Sequence, residues 1–140
     1  MSAYGPSMRL TVVLDCRDQD ALVEFWSVAL GYTLADKLDE YRVLVPEARP
    51  DASPAAVHGP VFMLAKADHP KHGKNRMHVD THPPDAEAHI TRLQRLGGTL
   101  VGERVERFGV WWQVMADPEG NELCVCAGAQ GPEQGDASSG

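Results

Sequence analysis

The chain reads as an α+β domain made of two tandem βαβββ modules that form a cupped mixed sheet around a cleft. Three observations predict this. Two amphipathic helices, each followed by a glycine stop, occupy matching places in the two halves. Short β-branched or alternating runs flank each helix. The halves can also be laid on one another: LDCRDQDALVEFWSVALGYTL (14–34) meets VDTHPPDAEAHITRLQRLGGTL (79–100) with one inserted residue, and GPVFMLA meets GNELCVC. In that alignment Asp15 faces Asp80, Asp20-Ala21 faces Asp85-Ala86, and Gly31 faces Gly97. Agreement in order, spacing and turn residues is the mark of an internal duplication.

The elements follow in order. Arg9 to Cys16 is a short β-branched strand. Asp18 is placed to cap the helix after it, because a short acceptor side chain satisfies the first free amides. Ala21, Leu22, Phe25, Trp26, Ala29 and Leu30 recur at three- and four-residue spacings and define one apolar face. Gly31 suits the left-handed position that ends a helix. YRVLVP and PVFMLA are strands, separated by the Pro/Ala-rich loop PEARPDASPAAVHG. After the loop KADHPKHGKN the pattern restarts with RMHVD as a strand. Pro83 and Pro84 lead into a second helix, where Asp85 and Glu87 favour the positive first turn. Ala86, Ile90, Leu93 and Leu96 form its buried stripe, and Gly97-Gly98 stops it. TLVGERV, VWWQVMAD and ELCVC complete the second module. One domain is expected over 8–127, with modules at about 8–66 and 75–127 and flexible termini at 1–7 and 128–140.

Composition narrows the role. The 140 residues are 43% apolar, enough for a core, and carry a net charge of −7. That sign repels phosphate backbones and anionic lipid, so neither a nucleic acid nor a membrane surface is expected as a partner. No run approaches the roughly 20 apolar residues of a spanning helix. MSAYGPSMRL lacks the basic and apolar regions of a secretory leader. Together with three cysteines, Cys16, Cys124 and Cys126, it points to free thiols in a cytoplasmic protein.

LTVVLDCRDQDALVEFWSVALGY, KNRMHVD, LGGTLV and VMADPEGNELCVC together resemble the glyoxalase / bleomycin-resistance / extradiol-dioxygenase (vicinal oxygen chelate) superfamily, in its glyoxalase-like branch, over about residues 9–126. The DPEGNE turn is the most specific piece. The resemblance implies the two-module fold and a homodimer, and it spans lyases, isomerases, dioxygenases, thiol transferases and antibiotic sequesterers, so it leaves the activity open.

The resemblance also implies metal ligands, one on the first and one on the last strand of each module, which carry over to Thr11, Met63, Arg76 and Cys124. Threonine is a poor ligand, a thioether is soft, and a guanidinium keeps its proton and repels a cation. A resident metal cofactor is therefore not expected. A displaced set, His78, Glu122 and Cys124, could instead converge as N, O and S donors; otherwise His78 and Glu122 hydrogen-bond or act as an acid/base pair. Cys124 is a reactive thiolate or a buried, inert thiol. His58, His69, His72, His82 and His89 read as loop, cap or helix-face residues.

The expected function is the binding of a small aromatic or antibiotic-like molecule in the cleft without a catalytic metal. The candidate contacts are Thr11, Met63, Arg76, His78, Trp112, Gln113, Glu122 and Cys124. Of the adjacent Trp111 and Trp112, one should face the cleft as a stacking surface. Arg76 could pair with an anionic group, or with Asp80 or Glu122. The alternative is a lyase, isomerase or dioxygenase-type enzyme using His78 and Glu122.

Overall fold

A computed structural model of the chain describes residues 10–48 and 59–128. The expected flexible termini, apart from Gly128, lie outside these residues, as do His58 and most of the Pro/Ala-rich loop. The chain divides into two compact units, 1–69 and 70–140.

The first unit runs β1 (Thr11–Cys16), α1 (Gln19–Leu30), β2 (Tyr32–Leu38), β3 (Tyr41–Pro46) and β4 (Val61–Lys66). Asp18 caps α1 by accepting from the Ala21 amide at 3.1 Å. Gly31 ends the helix in the left-handed conformation, φ 71°, which costs glycine little. The sheet order is β1-β4-β3-β2, with β1 parallel to β4 and the other pairs antiparallel. Leu22, Phe25, Trp26 and Ala29 are buried on α1, which packs on β3 and β4, where Leu44, Phe62 and Leu64 are buried. Of the expected apolar face, Leu30 is only half-buried and Ala21 is exposed, since it lies in the first turn at the edge of the stripe. Trp26 stacks on Phe62 with ring centroids 4.9 Å apart. Each such large side chain contributes about 1.5–3 kcal/mol by leaving water. Register places Val13, Val43 and Met63 on the opposite face, which no helix of this unit covers. Val13 is 55% exposed there.

The second unit repeats the order: β5 (Asp80–Thr81), α2 (Ala86–Arg95), β6 (Thr99–Arg107), β7 (Val110–Ala116) and β8 (Glu122–Gly128), with sheet order β5-β8-β7-β6. Asp85 caps α2 through the Ala88 amide. Ala86, Ile90 and Leu93 are buried as expected, whereas Leu96 is only half-buried at the helix end. Met115, Leu123 and Val125 are fully buried on the same side of the sheet.

Three expectations are revised. A strand the motif requires, Tyr32–Leu38, had no clear signature: its alternation is broken by a bulge between Leu34 and Asp36. RMHVD is not a strand throughout. Only Asp80 pairs within it, and Arg76 and Met77 lie in an exposed bend. The strand at the chain end runs on to Gly128.

The DPEGNE turn is the most tightly bonded loop of the second unit. Asp117 Oδ1 accepts from the amides of Glu119 and Asn121 at 2.8 and 2.9 Å, and Oδ2 accepts from Asn121 Nδ2 at 3.1 Å. Asp117 and Asn121 are buried, and the Asp117 amide returns a bond to the Asn121 carbonyl. The motif's acid is thus a scaffold that sets the approach of β8.

Candidate functional site

Cross-strand register sorts the site residues of the second unit onto two faces. Trp112 lies opposite Cys126, Val114 opposite Cys124, Ala116 opposite Glu122, and Asp80 opposite Cys124. Residues paired directly across strands share a face. Trp112, Cys124, Glu122 and Asp80 therefore share the face away from α2. Trp111, Gln113 and Met115 occupy the other face.

This settles the two tryptophans. Trp111 lies under the Arg104 guanidinium, 3.6 Å from its ring centroid, while Arg104 grips Glu87 of α2 at 2.7 and 3.0 Å. Trp112 is the half-buried ring on the open face. Gln113 is separated from the other candidates. It is 4% exposed, and its Nε2 donates to the carbonyls of Gly102 and Val114, and at 3.5 Å to that of Val101. It closes the β6 bulge between Val101 and Val105 rather than offering its amide to the open face.

Glu122 is also committed. Lys74 Nζ donates to its Oε1 at 2.9 Å, and Lys71 Nζ lies 3.7 Å from Oε2. Lys71 in turn donates to the Gly73 carbonyl. The Lys74 hydrogen bond, then the charges of both lysines, hold the Glu122 carboxyl below the usual glutamate range. The partner expected for it, His78, is instead 3.3 Å from Asp80 through Nε2 and Oδ1. Arg76 joins neither carboxylate; it is exposed in its bend.

Cys124 is 5% exposed. Burial first, then the Asp80 charge, pushes its thiol up to about 12, and a hydrogen bond to Asp80 adds to this. It is a protonated, inert thiol near neutral pH rather than a reactive thiolate. Cys126 is shifted upward for the same two reasons, burial and Asp80. None of the three cysteines forms a disulfide.

The helix caps correct the alignment of the two modules. Asp18 caps α1 and Asp85 caps α2, so Asp18 is the counterpart of Asp85, not Asp20. Counting back the same seven residues from each cap reaches Thr11 and His78. The parallel ladders agree: Val13 pairs Met63 in the first unit and Asp80 pairs Cys124 in the second. Asp80 is thus the counterpart of Val13, and His78 that of Thr11. The position carried over to Arg76 belongs to His78, two residues on.

A profile of the glyoxalase-like domain matches residues 11–126. The chain belongs to the glyoxalase-like family. Solved structures share its fold. A glyoxalase/bleomycin resistance protein/dioxygenase family enzyme from Burkholderia phytofirmans PsJN aligns with TM-score 0.63 and 15% identity over 84% of this chain and 95% of its own. A glyoxalase family protein from Bacillus cereus aligns with TM-score 0.65 and 18% identity over 91% and 99%. The fosfomycin resistance protein FosX from Listeria monocytogenes aligns with TM-score 0.66 and 13% identity over 88% and 94%. No curated protein matches by sequence.

The family's metal can now be tested against this glyoxalase-like chain. In the first unit its two positions are Thr11 and Met63, and neither is a competent ligand for a hard divalent ion. The second unit fills its two with His78 and Cys124, both competent. A facial set of N and O donors drawn equally from both modules is therefore not available. Among the described residues, one group of at least three metal-type donors gathers its ligand atoms within 4.8 Å of one another: His78, Asp80 and Cys124.

Proposed function

We propose that this glyoxalase-like protein binds a small aromatic or antibiotic-like molecule against the open face of its second sheet, without the two-module catalytic metal. The carrying observation is Trp112, half-buried on a face that its own helix leaves uncovered, with Val114, Val101 and Val105 beside it. A flat ring flanked by aliphatic side chains supports stacking of a conjugated ligand. Arg76, exposed and in no ion pair among the described residues, would anchor a carboxylate or phenolate. His78 and Cys124 border the same contact surface, while Thr11 and Met63 lie in the other unit and take no part in this reading. Gln113 and Glu122 act here as supports. The antibiotic-like class is included because a fosfomycin resistance protein shares the fold.

Thermal-shift titration with naphthoic acid and larger polyaromatic carboxylates tests this. Trp112→Ala should weaken binding about 3- to 10-fold, as expected for loss of a stacking partner worth ~0.5–1.5 kcal/mol. Trp111→Ala, on the other face, should leave affinity unchanged. Equal affinity for Trp112→Ala and the parent protein would refute the assignment.

One observation favours the enzymatic alternative, a lyase, isomerase or dioxygenase-type activity on a small organic substrate. His78 already has a carboxylate at 3.3 Å to orient it, but that carboxylate is Asp80 and not Glu122. Turnover of any screened substrate should then disappear in His78→Gln and persist in Glu122→Gln. The reading also includes a homodimer, tested by sedimentation at micromolar concentration, and a cytoplasmic setting, supported by three cysteines that form no disulfide.

A further inference from the structure

The geometry points to a self-contained zinc-type site in the second module, formed by His78 Nε2 or Nδ1, one Asp80 carboxylate oxygen and Cys124 Sγ. It goes beyond the aromatic-binding reading and stands on register alone. Asp80 and Cys124 are paired residues on parallel neighbours β5 and β8, and His78 precedes Asp80 by two residues. All three donor atoms lie within 4.8 Å of one another, and His78 and Asp80 are already 3.3 Å apart.

Tetrahedral zinc, with bonds of about 2.0–2.3 Å, holds its donors roughly 3.3–3.7 Å apart. Closing the remaining gaps takes about 1 Å of side-chain movement. His78 and Asp80 are exposed and can supply it, while Cys124 is fixed in the sheet. The fourth position opens to solvent or ligand. An N, O and S donor set selects zinc or cobalt over magnesium and calcium, which take oxygen. Charge permits it: Asp80 and the Cys124 thiolate balance a divalent ion once the thiol proton is displaced to solvent. Lys74, whose charge acts on Cys124, is held by Glu122, as is Lys71, and Arg76 lies in an exposed bend.

Cobalt(II) titration of the full-length, tag-free protein tests the site. One equivalent should bind with near-ultraviolet thiolate-to-cobalt charge transfer, and zinc should displace it. Cys124→Ala should abolish that band, while Cys16→Ala and Cys126→Ala should leave it unchanged. His78→Ala and Asp80→Asn, both at exposed positions, should weaken cobalt binding at least about 100-fold, the upper end of the loss seen for even an outer-shell partner. Absence of the band, its survival in Cys124→Ala, or unchanged affinity in Asp80→Asn would overturn the proposal. Aromatic-ligand affinity, measured separately in the metal-free protein, reports on the binding reading alone.

Discussion

Replacing Asp117 by alanine should be among the most damaging single changes outside the apolar core. Its carboxylate accepts three hydrogen bonds, from the Glu119 and Asn121 amides and from Asn121 Nδ2. Hydrogen bonds to a charged group contribute about 1.5–3 kcal/mol each, but three on one carboxylate are not additive. The Asn121 pair is buried, so its donors would lose their acceptor with no water in its place, whereas the Glu119 amide is partly accessible. The expected loss is about 3–4 kcal/mol, a large share of the ~5–15 kcal/mol that holds a domain together. That corresponds to a fall in Tm of roughly 10 °C. Asp117→Asn retains one acceptor oxygen and should lose about half as much. Urea unfolding at pH 7 with matched m-values measures both. A loss below about 1 kcal/mol for Asp117→Ala would show that the turn is held by its backbone bond and glycine geometry, not by the carboxylate.

Three further outcomes are expected. Cys124, with its thiol raised to about 12, should resist iodoacetamide in the native protein at pH 8 and label only after unfolding; peptide mapping showing rapid native labelling would contradict its burial. Glu122 has a folded pKa below its ordinary value, so its contribution is complete above that value, about 4.3, and is lost as pH falls through the lower folded one. Urea midpoints between about pH 5 and pH 3 should therefore fall more steeply for the parent than for Lys74→Ala, modestly so because Lys74 is exposed, and parallel curves would refute the pairing. Phe108 leads the two-residue turn between Arg107 and Val110 at φ 57°, followed by Gly109 at φ 77°, and is 83% exposed. Asparagine tolerates that conformation better, so Phe108→Asn should raise stability by about 1 kcal/mol in thermal unfolding; a decrease would show that the ring's contact with Arg107 outweighs the backbone strain.

The helices, the Asp18 cap and the order of elements were legible because each rests on local chemistry, Asp18 before an apolar stripe and Gly31 after it; Asp85, read as a first-turn charge, is instead the cap of α2. The uncovered strand β2 was not, since a bulge destroys its alternation. The site was half legible. His78 and Cys124 could be named from the sequence, and the shared face of Glu122 and Cys124 follows from simple alternation. Asp80 could not be placed beside Cys124, because parallel register between strands 42 residues apart in the chain depends on where each strand begins to pair. The Arg76 assignment slipped by two for a related reason. An Asp-Ala pair occurs in both helices, but only the capping bonds reveal which aspartate in the first module corresponds to Asp85. Gln113 and Glu122 looked available because nothing along the chain announces the Gly102 bulge or the two lysines that occupy them.

Two residues of β5 are stitched into the ladder, and the segment leading into it is held to β8 through side chains, the Lys71 and Lys74 pairs with Glu122. Its neighbours Leu123 and Val125 are locked beneath α2. Substitutions at 71–78 can therefore swap donors, charges or ligand contacts while the interior remains as it was. In this architecture chemical novelty has an inexpensive address, the irregular lead-in to one short strand.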